Sequence, residues 1–337
     1  MRRLVLCCVL SLVAALAAAP AVAGEQRSRA ADARLEAYTA TVDAAQIAAL
    51  RADGYDVTVL SHDGADATVE LVLTPRQRAA LARQGISARL HRTASGQTST
   101  QAAAAALAQQ EGVFRPYSGP GGLEEEIRQI AADNPRLVKL VKVGESLQGK
   151  DILALKLTQH ARSVPDGTRP AALYLSTQHA REWITPEMTR RLVHWFLDHT
   201  GDPEIARLLQ HNEYWFLIVA NPDGYDHTFT EGGRMWRKNL RDVDGDGEIG
   251  SGDGVDLNRN FPTNWGYDDE GSADDPTDET YRGEGPASEP EVQAMDALMA
   301  RIDPEFVVNY HSAAELLLYG NGWQVDTPSP DDLLATA

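Results

Sequence analysis

From about position 112, the apolar residues follow two patterns: short apolar runs typical of buried strands, and the spacing typical of helices. Short, nearly unbroken apolar runs predict buried strands at Leu137–Val143, Asp151–Leu157, Ala171–Ser176, Tyr214–Ala220 and Glu305–Tyr310. Helical spacing predicts helices at Leu123–Ala132, from Thr185 to about His199, and from Ser288 to about Ile302. Strands buried on both faces and separated by helices are typical of doubly wound sheets. We therefore expect an α/β fold, with a mixed sheet and helices on both of its faces.

Residues 34–90 divide into two similar halves, each of which reads strand, helix, strand. Asp43 before Ala44–Ala52, and Thr74 before Pro75, predict helix N-caps. The strands that flank the two helices are predicted at Leu35–Val42, Tyr55–Leu60, Ala67–Leu73 and Ile86–Leu90. Two such units predict a small α+β domain of the split βαβ type. An appendage without influence on substrate binding is the alternative reading of this segment.

The larger helices also begin at polar residues. Thr185, followed by Pro186, predicts an N-cap, and Ser288 with Glu291 has the spacing of a capping box.

The first residues and the stretch after position 92 have compositions unlike the rest. Arg2 and Arg3, an apolar run from Leu4 to about Ala18, and Ala21-Val22-Ala23 predict a secretory signal peptide cleaved before Gly24. Thr93–Gln110 contains few core-forming residues and reads as a linker. We therefore divide the chain into a signal peptide 1–23, a propeptide-like domain 24–92, a linker 93–111 and a large domain 112–337.

Cysteine content and charge narrow the classes of function. Cys7 and Cys8 are the only cysteines of the 337 residues, and both lie in the predicted signal peptide. The mature chain therefore offers neither a cysteine nucleophile nor a Cys-type zinc site. The net charge of -18 argues against nucleic acid and anionic membrane as partners. We expect a secreted, soluble monomer.

His179 and Glu182 form an H-x-x-E pair on a turn just after the predicted strand Ala171–Ser176. Imidazole nitrogen and carboxylate oxygen suit zinc, but two ligands do not hold the ion, so a third must come from elsewhere. His311 follows another predicted strand, and strand ends are where open α/β sheets keep their sites. A loop histidine beside a solvated acid is the alternative reading of the pair.

Three further motifs lie between the two histidines. They are Trp236-Arg237-Lys238-Asn239, Gly254-Val255-Asp256-Leu257-Asn258-Arg259-Asn260-Phe261 and Ser288-Glu289-Pro290-Glu291. Together with H-x-x-E, and with His311-Ser312 before Leu316–Tyr319, they make the chain from about Gly112 resemble the zinc metallocarboxypeptidases of the carboxypeptidase A/B type. The resemblance implies a carboxypeptidase-like fold, and it makes the first domain similar to an activation peptide of a zymogen.

The resemblance also implies a role for each matching residue. The implied zinc ligands, two imidazoles and one carboxylate, are His179, Glu182 and His311. Asp256 matches the acid that orients the first histidine, and Arg237 matches the guanidinium that stabilises the developing oxyanion. Asn258 and Arg259 match the pair that holds the terminal carboxylate of the substrate, which restricts cleavage to free C-termini.

The chain departs from the family pattern near its end. In the family, the general-base glutamate and a tyrosine on a mobile loop lie further downstream, beyond Ala337. Glu315 matches no catalytic position, and Ala313 stands where many relatives have tyrosine. General acid–base catalysis contributes about a hundredfold or more to rate. We therefore expect a truncated sequence that is nearly inactive as it stands.

An acidic loop between Arg237 and Arg259 follows the spacing of a calcium loop, with glycine at its sixth position. The candidate calcium ligands are Asp242, Asp244, Asp246, Glu248 and Asp253. An acidic surface loop without metal is the alternative.

Together these features favour a secreted zinc carboxypeptidase precursor that acts on the C-termini of peptides or proteins. Its first domain would cover the cleft until the linker is cleaved. Two other functions stay open. One is a peptidoglycan-directed peptidase or amidase of the same superfamily, and the other is a noncatalytic, zinc-dependent peptide-binding protein.

Overall fold

The computed structural model describes residues 34–108, 113–269, 271–312 and 318. The predicted signal peptide 1–23, together with Ala313 and Glu315, lies outside the described residues. Within the described ranges, no helix has the length and apolar character needed to cross a membrane.

The first domain has the predicted split βαβ arrangement. Its elements are β1 (Glu36–Asp43), α1 (Ala44–Ala52), β2 (Val57–Asp63), β3 (Asp66–Leu73), α2 (Pro75–Arg83) and β4 (Arg89–Leu90). The sheet has the order β2-β3-β1-β4, and its paired strands are antiparallel. Alternating side chains of these strands pack against both helices in a separate hydrophobic core that includes Leu50, Val69 and Leu81.

Both N-caps predicted in the first domain are confirmed. Asp43 Oδ1 accepts the Gln46 backbone N–H at 2.8 Å, and Gln46 Oε1 accepts the Asp43 N–H at 3.0 Å. Thr74 and Gln77 make the same reciprocal pair of hydrogen bonds. Each capping box satisfies amide groups that the first helical turn leaves without partners.

A helix that was not predicted, α3 (Ser99–Ala108), lies in the segment expected to be a linker. Its alanine run lacks core-forming side chains, but alanine has the highest helix propensity, and propensity decides where packing does not. The role of this segment as a linker stays a prediction.

The large domain is built on a five-stranded mixed sheet with the order β5-β6-β8-β7-β9. Its strands are β5 (Val138–Glu145), β6 (Asp151–Leu157), β7 (Ala171–Ser176), β8 (Glu213–Leu217) and β9 (Phe306–Tyr310). The helices are α4 (Leu123–Asp133), α5 (Ile184–Asp198), α6 (Pro203–His211), α7 (Pro222–His227) and α8 (Pro290–Ile302). Strands β7, β8 and β9 are parallel, whereas β5 and β6 pair antiparallel. Helices α6 and α7 were not predicted from the sequence.

Helices cover both faces of this sheet, as the apolar runs predicted. Tyr214 and Phe216 of β8 face the core that includes residues of α4, α5 and α6. Trp215 and Leu217 face the opposite core, which α8 covers with Val292, Leu298 and other residues. Consecutive residues of one strand therefore serve different cores, which is why the strand is apolar throughout.

The N-caps predicted for α5 and α8 are wrong. Trp183 precedes α5 without a side-chain cap, and Thr185 Oγ1 donates to the Glu182 carbonyl at 2.9 Å. Glu289 is the residue before α8, and it likewise makes no capping bond. The Glu291 carboxylate instead accepts the Leu147 backbone N–H at 3.0 Å. This contact with a distant residue replaces the capping bond that the spacing of Ser288 and Glu291 predicted.

Candidate metal centre

The turn after β7 places His179 and Glu182 inside the protein. Thr177 opens this turn with φ 61°, a left-handed conformation that is uncommon for a β-branched residue. Its hydroxyl donates to the Ile218 carbonyl at 3.0 Å, which helps to hold the strained residue in place. Both His179 and Glu182 are buried, and His179 Nδ1 lies 2.9 Å from Glu182 Oε1.

His311 reaches the same point from the neighbouring strand. Strands β7 and β9 are parallel and Ser176 pairs with Tyr310, so the chain leaves both strands at one edge of the sheet. His311 Nδ1 lies 3.0 Å from His179 Nδ1 and 3.1 Å from Glu182 Oε2. One ligand atom from each residue lies within 4.8 Å of the other two. The structure therefore brings the predicted set of three together.

Asp256 joins the centre to Arg237. Its Oδ1 lies 3.0 Å from His179 Nε2, and its Oδ2 accepts Arg237 Nη2 at 2.8 Å and Nε at 3.1 Å. A carboxylate at Nε2 holds an imidazole proton there, so Nδ1, which faces Glu182 and His311, is the nitrogen that can give up its proton to bind a metal. Two imidazole nitrogens and a carboxylate oxygen are a donor set that fits zinc. Asp256 thus contacts the first histidine, and the orienting role that the resemblance implied for it stays a prediction.

The electrostatics of the centre keep its acids ionised. Burial opposes the charge on Glu182, but the charge of His179 and hydrogen bonds from both histidines lower its pKa to about 2. Burial also opposes ionisation of Asp256, but the charges of Arg237 and His179 hold its pKa well below the usual range. Both carboxylates are thus available as anions for a cation or for its histidine ligand.

Asn258 and Arg259 lie beside the centre, on a short 3-10 turn at Leu257–Arg259 that Asp256 caps. Asp256 Oδ1 accepts the Asn258 backbone N–H at 2.9 Å, and Asn258 Nδ2 lies 3.5 Å from His311 Nε2. Arg259 Nε donates to the Gly271 carbonyl at 2.6 Å, and its Nη1 donates to the Asn258 carbonyl at 3.2 Å. The pair is therefore anchored next to the histidines.

A comparison with protein families shows which family the chain belongs to. A family model described as zinc carboxypeptidase matches residues 123–335. The chain belongs to the zinc carboxypeptidase family. Membership implies zinc as the metal, and the group of His179, Glu182 and His311 can hold it.

Relatives of the chain agree with this membership. A metallocarboxypeptidase A-like protein of Trichophyton verrucosum is 34% identical over 199 residues, which are 58% of this chain and 44% of that protein. Carboxypeptidase A1 of Sus scrofa is 32% identical over 61% of this chain and 46% of its own length. Carboxypeptidase A4 of Mus musculus is 32% identical over 67% of this chain and 52% of its own. The chain thus spans about half the length of the curated relatives that it matches.

Solved structures share the fold. The carboxypeptidase A of Helicoverpa armigera superposes with a TM-score of 0.68 at 24% identity, over 90% of this chain and 75% of that one. A match of that extent includes much of the small domain as well as the large one. Bovine thrombin-activatable fibrinolysis inhibitor, solved with a tick carboxypeptidase inhibitor, has a TM-score of 0.55 at 26% identity, over 65% and 67% of the two chains. The expected carboxypeptidase-like fold is confirmed.

Three charged residues at this zinc carboxypeptidase centre were missed by the sequence analysis. Arg181 is buried between the two ligands of the H-x-x-E motif, and its Nη1 donates to Glu279 at 2.6 Å. Asp56 of the small domain accepts hydrogen bonds from Arg181 and from Arg237. The position of Arg181 inside the motif was a usable signal. No sequence signal pointed to Asp56 or Glu279, because each reaches the centre from a distant part of the chain.

The acidic loop assembles only part of the predicted calcium set. Carboxylate oxygens of Asp242, Asp244 and Asp246 lie within 4.8 Å of one another at the exposed surface. Asp253 is buried, and its two oxygens accept the backbone N–H groups of Val243 and Gly250 at 2.8 Å each. Glu248 is exposed, and within the described ranges it belongs to no group of three candidate ligands. The calcium site stays a prediction.

Proposed function

We propose that this chain is the precursor of a secreted, zinc-dependent carboxypeptidase that removes C-terminal residues from peptides or proteins. The observation that carries the proposal is the convergence of buried His179 and Glu182 with exposed His311, beside the Asp256–Arg237 pair. Zinc bound by these three side chains supplies Lewis-acid chemistry to a carbonyl group and to water. Export rests on the signal peptide predicted for residues 1–23.

Arg237 is suited to stabilise negative charge on a carbonyl oxygen. Asp256 fixes its guanidinium through Nε and Nη2, so Nη1 is the nitrogen that points toward Asp56 of the small domain. Burial opposes the charge of Arg237, but Asp256 and Asp56 raise its pKa, so the guanidinium stays protonated. A fixed cation near a polarised carbonyl is the arrangement that stabilises an oxyanion as it develops.

Arg259 and Asn258 would select substrates with a free C-terminus. The two hydrogen bonds from Arg259 to main-chain carbonyls fix the plane of its guanidinium. A fixed guanidinium can bind a carboxylate through two parallel hydrogen bonds, and Asn258 supplies an amide group beside it. An internal peptide bond offers no carboxylate there, so the enzyme would trim chains from the end.

The small domain would keep this precursor inactive through Asp56. Burial opposes the charge of Asp56, but Arg237 and Arg181 lower its pKa, so a carboxylate anion is held at Arg237. Arg237 cannot serve a substrate oxyanion while it binds Asp56. Cleavage within residues 93–111 would release the small domain and free the guanidinium.

Metal analysis and peptide assays test the proposal. The purified protein should contain about one zinc ion per chain, and His179→Ala should lose it. The full-length protein, after limited proteolysis within 93–111, should act on free-ended peptides and spare the same peptides with amidated C-termini. Arg259→Ala should bind both peptides equally weakly, whereas Arg259→Lys should keep part of the preference.

The same assays separate the two other functions. Turnover of peptidoglycan fragments but not of linear peptides would indicate the peptidase or amidase. Zinc-dependent binding of free-ended peptides without turnover would indicate a binding protein. Equal cleavage of free and amidated peptides would contradict the carboxylate clamp.

A further inference from the structure

The turn that carries Asp56 also touches an acid of the large domain. Gly54, between α1 and β2, is buried with φ 77° and lies against the side chain of Asp278. A methyl group added to Gly54 would lie 2.5 Å from both Cγ and Oδ2 of Asp278. The backbone of the small domain therefore covers one side of this carboxylate, at a place where no side chain fits.

The charges around Asp278 are mostly negative. From the small domain, Asp53 and Tyr55 face it, and from the large domain Asp275, Glu279 and Lys238 do. Lys238 is the one cation among these groups. Its ammonium donates to the carbonyls of Pro276 at 2.6 Å and of Asp278 at 3.0 Å, so it is directed at the main chain. Docking of the small domain thus brings the negative charge of Asp53 toward the carboxylate of Asp278 and removes water from that carboxylate.

We propose that Asp278 makes docking of the small domain pH-sensitive, with tight docking in mildly acidic solution and weaker docking toward neutral pH. The proposal rests on the covering role proposed above for that domain. The pH is then a condition under which the small domain loosens without any cleavage of the chain. Such a device would keep the centre covered in an acidic compartment and would ease release at higher pH.

The direction follows from proton binding. Burial raises the pKa of Asp278 to about 6, with Asp275 and Asp53 adding to the effect and Lys238 opposing it. Gly54, Tyr55 and Asp53 act on Asp278 only while the domains are docked, so the docked form binds the proton more tightly. Docking is therefore strongest when Asp278 is protonated, and it weakens as the pH rises through about 6. The Asp56 anchor does not titrate in this range, because its pKa is lowered.

Distances between spin labels on the two domains test this directly, without reference to catalysis. Cys7 and Cys8 are replaced by serine, and labels are attached at Ser61→Cys and Gln129→Cys, both exposed positions of the intact chain. An Asp56→Asn background weakens docking enough for the open population to be measured. We expect the docked-to-open ratio to fall about tenfold between about pH 5 and about pH 8.

Three further substitutions, each combined with Asp56→Asn in the labelled protein, test the role of Asp278. Asp278→Asn should show the same docked-to-open ratio across the pH range, whereas Asp274→Asn, an exposed neighbour, should keep the slope of Asp56→Asn alone. Gly54→Ala should open the domains at every pH. A slope in Asp278→Asn equal to that of Asp56→Asn alone, or a flat profile in Asp56→Asn alone, would overturn the proposal. If Asp56→Asn does not increase the open fraction at any pH, the covering role of Asp56 fails instead, and the two failures are thereby distinguished.

Discussion

Asp56 accepts a hydrogen bond from Arg237 Nη1 at 3.1 Å, although 181 positions separate the two residues in the chain. The bond joins the small domain to the guanidinium that also braces Asp256, and through Asp256 to the first histidine of the metal centre. The carboxylate of Asp56 thus connects the small domain to the residues around the candidate metal centre.

Replacing Asp56 by asparagine should loosen the small domain. The amide keeps the size of the side chain but removes the anion that Arg181 and Arg237 share. Breaking a desolvated ion pair costs about 2–5 kcal/mol, and the partial exposure of Asp56 favours the lower end of that range. We expect faster limited proteolysis within residues 93–111 and a lower melting temperature. Asp63→Asn, at the exposed end of β2 in the same domain, should change neither. Unchanged proteolysis in Asp56→Asn would show that the domain is held by other contacts.

Asp256→Asn should weaken zinc binding while leaving all three ligands in place. The variant loses the charge that orients His179 and braces Arg237, and such outer contacts are worth about 10- to 100-fold in metal affinity. Competition with a chelator of known affinity measures the change. Asp246→Asn, in the exposed acidic loop, is the matched control and should retain wild-type zinc affinity. Equal affinity in both variants would remove the proposed role of Asp256.

The free energy of unfolding should fall between mildly acidic and neutral pH because of Glu291. Burial is the main reason that the pKa of Glu291 is raised from 4.5 to about 7, against hydrogen bonds from Leu147 and Asn239. An acid with a raised pKa destabilises the fold when it ionises, so stability is greatest below about pH 4.5 and is lost as the pH rises through about 7.

Glu291→Gln should remove this part of the pH dependence, because the amide oxygen can still accept the Leu147 N–H but carries no charge. We expect the variant to exceed wild type by about 2 kcal/mol near pH 8, with little difference near pH 5, as measured by urea denaturation. Asp296→Asn, on the exposed side of α8, should follow the wild-type curve. Parallel curves for Glu291→Gln and wild type would refute the assignment.

Calcium titration decides the predicted site in the acidic loop. If Asp242, Asp244 and Asp246 bind the ion, calorimetry should show a heat that Asp244→Asn abolishes, and calcium should raise the melting temperature. His179→Ala should leave the heat unchanged, which separates this site from the zinc centre. Absence of both the heat and the thermal shift would leave the loop as an acidic surface.

Much of the local structure could be read from the residues. The apolar runs placed β6 and β7 at the bounds that the structure shows, because a strand buried on both faces must be apolar throughout. Asp43 and Thr74 marked their helices, since the capping bonds join residues three apart. The cap predicted at Ser288 failed where a distant group, the Leu147 backbone N–H, binds the carboxylate of Glu291.

By itself, the sequence determined the alternation of strands and helices, the H-x-x-E pair and the motifs by which the family is known. The tertiary structure alone decided that His311 lies beside His179 and Glu182. It also decided that the carboxylate of Asp256 contacts both His179 and Arg237, and that Asp56 lies against the same arginine. The reason is physical. Local signals arise from bonds between residues a few positions apart, whereas these contacts depend on how strand pairing and domain docking place distant parts of the chain.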